Sequence, residues 1–145
     1  MHNIENMSEF RHKIKITVRF SDLDAMQHVN NAAYLSYLEE ARIAYFNHIL
    51  ERSERSLDFG AVIGRIEIDY VHPIVLGDKV EVLTRVTKLG NKSSDMEHII
   101  VIHNNPAPVI AAKAFTKLVS YDYKNQRAVS VPDIVRRNIS EFENI

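Results

Sequence analysis

Two aspartates, one histidine, one glutamine and two asparagines fall within the eleven residues Ser21–Asn31, SDLDAMQHVNN. An apolar helical run follows, so Asp24 stands shortly before a helix start. The field there favours an ionised carboxylate and any oxyanion that develops nearby. Free N–H groups at Asn30 and Asn31 can polarise a carbonyl by donating to its oxygen. A carboxylate beside such donors can take a proton from water or attack an acyl carbon itself. His28, four residues beyond Asp24, can hydrogen-bond the carboxylate, the water or a leaving group. The set Asp24, His28 and Asn31 therefore suits acyl transfer.

The same residue types also make simpler structures. Asp and Asn side chains form Asx turns and helix caps, which would account for Asp22, Asn30 and Asn31 one by one. A calcium loop does not fit DLDAMQHVNNAA, because Gln27 stands at the required Gly and Ala33 at the closing Glu. A zinc site does not fit either, with one His in the segment and no Cys in the chain, so no metal is expected.

The elements around this joint are legible from their periodicity. In RHKIKITVRF, Arg11–Phe20, Ile14, Ile16, Val18 and Phe20 share one face, which is the signature of a half-buried strand. Asn31–Leu50 is rich in Ala, Leu and Glu, lacks Gly and Pro, and makes a helix of about five turns. Its charges cluster at Glu39, Glu40 and Arg42, and apolar residues occupy most of the circumference, as in a helix enclosed by other structure. A polar connection, ERSERSLDFG, leads to four runs with strand character: AVIGRIEIDYVH, KVEVLTRVTKL, MEHIIVIH and VIAAKAFTKLVSYDY. PIVLGD and GNKSSD read as turns between them. Pro132 then opens a terminal helix at its first position, with Asp133 beside it.

This order predicts an α+β fold: four consecutive strands in an antiparallel meander, curled around one long central helix. Such a sheet leaves an edge strand and part of the helix uncovered, so a second copy is expected to cover them. With 145 residues, one domain over 1–145 is the natural expectation. Lys and Arg total 18 against 19 Asp and Glu, which gives no basic footprint for nucleic acid and no polybasic membrane patch. The N-terminus has no apolar secretory region, and no run approaches the roughly 20 apolar residues of a membrane span. Cysteine is absent, which excludes thiol catalysis and disulfides and fits a cytoplasmic protein.

RFSDLDAMQHVNNAAYLSYLEEAR resembles the active-site loop and central helix of hotdog-fold thioesterases of the 4-hydroxybenzoyl-CoA thioesterase family. The loop is also similar to that of the acyl-ACP thioesterases, which share the hotdog fold. The resemblance runs on through IEIDYVHPIVLGDKVEV and VTKLGNKSSDMEHIIV to the PD that opens the last helix. It implies hydrolysis of an acyl thioester, acyl-CoA or acyl-ACP, by a homodimer or homotetramer. No cofactor is implied, since CoA is part of the substrate.

By the same resemblance Asp24 matches the catalytic Asp, either nucleophile or base. Asn31 matches the position whose N–H polarises the carbonyl, and His28 matches the His of acyl-ACP thioesterases. Met26 departs from those enzymes, which carry Asn there. Lys92, Ser93 and Ser94, in the turn before the strand MEHIIVIH, fall in the region that binds the pantetheine and nucleotide of CoA. Lys is a point-charge partner for phosphate and Ser a small donor. Tyr37 is a candidate for the acyl pocket, and an enclosed Glu39 or Glu40 would need a partner such as Arg42 or Arg19. His72, beside Pro73, reads as structural. A non-catalytic acyl-CoA-binding domain on the same fold is the rival, since fold does not fix function; Asp24 favours the enzyme.

Overall fold

A computed structural model describes residues 6–51, 60–104 and 106–145. Most of the polar connection after the helix lies outside the described residues. Strand β1 (His12–Thr17) leads through a 3-10 turn at Phe20–Asp22 to helix α1 (Asn31–Ile49). Strands β2 (Ala61–Tyr70), β3 (Lys79–Leu89), β4 (Ser93–Ile102) and β5 (Val109–Asp122) follow. A two-residue strand β6 (Arg127–Ala128) and helix α2 (Asp133–Glu143) complete the chain.

The strands form one antiparallel sheet in the order β1-β3-β4-β5-β2, with β6 added to β5. The expected four-strand meander is therefore a three-strand meander, β3-β4-β5. The edge of β3 away from β4 is taken by β1, so β2 instead pairs with the free edge of β5. The segment between β2 and β3, which includes PIVLGD, is consequently a crossing rather than a hairpin turn. It runs past the Asp24 loop, where His28 and Val75 form an isolated bridge.

The alternation read in Arg11–Phe20 holds for Ile16 and Val18, which are buried, and for Lys13 and Lys15, which face outward; it fails at Phe20, which the 3-10 turn after β1 leaves exposed. Helix α1 is enclosed as expected, with Tyr34, Leu38, Ala41, Tyr45, Phe46 and Ile49 among its buried residues. Around its first half they pack with Ile74, Val82, Ile100 and Ala112, and around its second half with Val86, Met96, Leu118 and Ile139 of α2. Full burial of each Leu or Ile contributes about 1.5–3 kcal/mol. Glu39 and Glu40, weighed as enclosed acids, are exposed; Arg42 is the buried charge on the helix. Pro132 is the cap of α2 rather than its first residue, and the turn GNKSSD is shorter than expected, because Ser93 and Ser94 already belong to β4.

Candidate active site

The loop between β1 and α1 is built on one buried acid. Asp22 is 5% exposed and accepts three hydrogen bonds. They come from the Arg19 N–H at 3.0 Å, the Arg19 guanidinium at 3.0 Å and the Tyr37 hydroxyl at 2.8 Å. Burial alone would raise its pKa; the Arg19 N–H, the Tyr37 hydroxyl and the Arg19 charge outweigh it and hold the carboxyl below its ordinary value. The Asp22 carbonyl also accepts from the Asn30 N–H at 2.7 Å, which ties the loop's start to the helix cap.

Between those anchors the chain closes a tight turn at Asp24–His28. The Asp24 N–H donates to the His28 carbonyl at 2.8 Å, and Gln27 takes a left-handed φ of 64°. Asp24 Oδ1 accepts from the Met26 N–H at 2.9 Å and, more weakly, from the His28 N–H at 3.4 Å. Oδ2 accepts no hydrogen bond among the described residues, and the residue is exposed. Asp24 thus has one oxygen that fixes the turn and one that faces outward. The His28 ring likewise makes no hydrogen bond among the described residues, and its backbone is fixed by the bridge to Val75.

The helix start leaves one donor free. The Val29 N–H donates to Ile74, Asn30 to Asp22, Ala32 to the Asn30 side chain at 2.9 Å and Ala33 to the Asn30 carbonyl. Asn31 alone in this run has no protein acceptor for its N–H among the described residues. Asn30, not Asn31, supplies the side-chain cap, which resolves the choice left open by the sequence.

Asp24 and His28 form a ridge between two grooves. One, about 410 Å³, is lined by Asn31, Tyr34, Tyr70, Val71 and His72. Tyr34 and Tyr70 stack there with ring centres 4.9 Å apart. The other, about 650 Å³, is walled by Phe20, Leu23, Met26, Val75 and Leu76. Phe20 and Met26 are 80% and 75% exposed, an unusual position for large apolar side chains. The pair of grooves gives an extended, two-armed ligand a continuous path across one carboxylate and one free N–H.

The structure brings together Asp24, His28 and Asn31. It does not bring the other candidates to them. Tyr37 is 4% exposed and its hydroxyl donates to Asp22, so it holds the loop instead of facing a ligand. Burial, together with that bond to a carboxylate, raises its pKa. Lys92, Ser93 and Ser94 lie near the other end of the sheet, beside Val119 and Ser120. Lys92 is exposed, Ser93 half-buried, and Ser94 buried in the β4 ladder. Within one chain none of the three lines either Asp24 groove. Sequence reasoning missed Tyr70, Val71 and Val75 as groove residues, and set His72 aside. Only the fold's crossing from β2 to β3 brings them to the loop. Among the described residues no group of three His, Asp or Glu is placed to hold a metal.

Residues 18–139 match the thioesterase-like superfamily. The chain belongs to that family. Among its relatives this thioesterase-like chain is 32% identical over 133 residues to the long-chain acyl-CoA thioesterase FadM of Escherichia coli, covering 88% of this chain and 96% of the relative. It is 27% identical to the acyl-acyl carrier protein thioesterase ATL3 of Arabidopsis thaliana, over 95% of this chain and 72% of the relative. A Thermus thermophilus thioesterase solved in complex with coenzyme A and Zn superposes with a TM-score of 0.80 at 38% identity. That alignment covers 94% of this chain and 97% of the other. The α+β hotdog architecture, a curled antiparallel sheet with one long helix, is thus shared with the family's solved thioesterases.

Proposed function

We propose that the protein hydrolyses acyl-CoA thioesters at the Asp24 loop. The observation that carries this reading is the pairing of a free carboxylate oxygen on Asp24 with the unused Asn31 N–H on the wall of the same groove. A thioester carbonyl laid on the ridge meets both. Asp24 Oδ2 takes a proton from water as its oxygen attacks the carbonyl carbon, and the Asn31 N–H donates to the oxyanion that forms. Collapse of that intermediate breaks the C–S bond, and the departing thiolate takes up a proton to leave free acid and CoA. Alternatively Asp24 attacks the carbon directly, and water then hydrolyses the mixed anhydride. His28 borders both grooves and is positioned to assist the water or the leaving sulfur. The kinship with FadM supports CoA as the carrier. No metal or redox cofactor enters this chemistry.

The likeness to ATL3, with His28 in the loop, supports acyl-ACP as a second carrier. Among the described residues the outer edges of β1 and β2 pair with no strand, which supports a homo-oligomer, in which a neighbouring copy would bring Lys92 and Ser93 to the CoA arm of the substrate. We place the protein in the cytoplasm, consistent with a chain free of cysteine. Among the described residues no helix is long and apolar enough to cross a membrane.

Thiol release from short, medium, long and aromatic acyl-CoAs tests the reading. The protein has no cysteine, so a thiol-reactive dye sees only product. Turnover that collapses in Asp24→Asn is the expected result; turnover unchanged by the substitution removes Asp24 from the reaction. Absence of turnover on CoA and ACP esters alike, with binding retained, would leave the non-catalytic binding domain. Label found in the Asp24 carboxylate after single turnover in ¹⁸O-water would identify the nucleophilic route, with water opening the anhydride at the Asp24 carbonyl.

A further inference from the structure

The layer between α1 and the sheet is not apolar throughout. One apolar cluster includes Leu38 and Ala41, the other Tyr45 and Phe46, and Arg42 falls between them on the helix. Opposite, Thr84, His98 and Ala114 form a cross-strand row, and Thr116 lies in the next row beside Met96. His98 shares its strand face with Met96 and Ile100, and Thr116 with Ala114 and Leu118, all members of the clusters that pack on α1. His98 and Thr116 are thus diagonal neighbours on the helix-facing side. Arg42 is 6% exposed, and His98 and Thr116 are fully buried.

Arg42 carries a full positive charge into this layer. No carboxylate among the described residues lies within ion-pair distance of it; Glu39 acts on it only at longer range. Arg42 Nη1, His98 Nε2 and Thr116 Oγ1 are all buried without a hydrogen-bond partner. His98 Nδ1 is 3.1 Å from Thr84 Oγ1. When that hydroxyl donates to Nδ1, the neutral ring carries its hydrogen on Nε2. Burial and the Arg42 charge push the His98 pKa down to about 3, so the ring is neutral at ordinary pH. In that tautomer the three unpartnered atoms offer an Nη1–H, an Nε2–H and a hydroxyl free to donate, beside one uncompensated cation. A water would meet the hydrogen bonds but leave the charge unbalanced in a low-dielectric interior, which is costly. None of the three residues lines either groove beside Asp24, so the ligand is internal and not part of a substrate.

We propose that Arg42, His98 and Thr116 form an internal site for one small monovalent anion of the halide class, held between α1 and the sheet. The site divides the two apolar clusters and pins the middle of the helix to β4 and β5.

The test is to crystallise the full chain from bromide and collect data at the bromine absorption edge. An anomalous peak bonded to Arg42, His98 and Thr116 is the expected result. Density there without anomalous signal, or a carboxylate seated on Arg42, overturns the proposal. Thermal unfolding in sodium chloride against sodium gluconate at equal ionic strength gives an independent reading. Chloride should raise Tm, because a ligand bound only by the folded state stabilises it. The difference should vanish in Arg42→Met, and in Thr116→Val its chloride midpoint should rise several-fold. Equal Tm in the two wild-type salts overturns the site. Should Arg42→Met fail to fold, the bromide peak and the Thr116→Val comparison still decide.

Discussion

An acid lies near each end of α1, Asp24 in the loop before it and Glu143 on α2, and the two are in opposite conditions. At the C-terminal end Glu143 is buried. Its Oε2 accepts the Tyr45 hydroxyl at 2.7 Å and the Val86 N–H at 2.8 Å, with Arg11 3.8 Å from Oε1. At the N-terminal end Asp24 is exposed, with one oxygen bound into a turn and the other free beside a free N–H. Asp22, only two residues earlier, is of the Glu143 kind: buried, with Arg19 and Tyr37 bonded to it. A buried acid held by fixed donors organises structure. An acid with a lone pair left over, next to a donor left over, can act on something that arrives.

The sharpest way to break this comparison is to change the two end acids and measure both activity and stability. Asp24→Asn keeps an oxygen for the Met26 N–H, so the turn should survive. Thioester turnover should fall by roughly 10²–10⁴-fold, while unfolding by urea shifts by less than about 0.5 kcal/mol. Glu143→Leu should do the reverse. It leaves the Tyr45 hydroxyl and the Val86 N–H buried without an acceptor, and should cost about 2–4 kcal/mol of stability. Turnover per folded molecule should stay near wild type. Matched losses of activity and stability in both variants would erase the distinction.

Smaller effects sharpen it. Asp22 has a folded-state pKa below its unfolded value, so its contribution to stability is present above the ordinary carboxylate range. That contribution is lost as pH falls through the lower, folded value. Asp22→Asn should therefore flatten the acid limb of stability against pH, measured by thermal unfolding between neutral and strongly acid buffers. Tyr37→Phe should give the smallest change, about 1 kcal/mol. Without that hydroxyl the folded Asp22 pKa rises toward normal, so its acid-limb loss should be smaller and should be complete at a higher pH.

Much of this is legible in the sequence, for definite reasons. Alternation in β1 and the all-round apolar helix are periodic signals carried by consecutive residues, and they survive in the fold. So does the loop, because Asp24, His28 and Asn31 lie within eight positions of one another. What could not be read depends on pairing over long range. Tyr37 is a helical residue like its neighbours until the fold puts its hydroxyl against Asp22, and Arg42 is one of three clustered charges until the sheet closes over it. The position of β2 followed from competition for a sheet edge, which no local pattern encodes. Ser94 read as a turn residue because Ser is common in turns, yet here it continues a ladder with Leu118.

The contact of the Asp24 loop with Ile74 and Val75 bears on how the molecule comes into being. The Val29 N–H and the His28 bridge find their partners only in the crossing that follows β2, long after the loop and helix have been synthesised. A nascent chain that ends before Ile74 would carry every residue of the motif and still lack the wall that shapes its grooves. β1 in turn has no strand to pair with until β3 is made. Closing loops of this length is entropically costly and slow, so the site should be among the last parts of the molecule to set. Tyr70, Val71 and His72 in the other groove wall take their backbone partners from β5, so a ribosome-stalled series of increasing length would show ligand affinity arriving in one step, near the point at which β5 clears the exit tunnel.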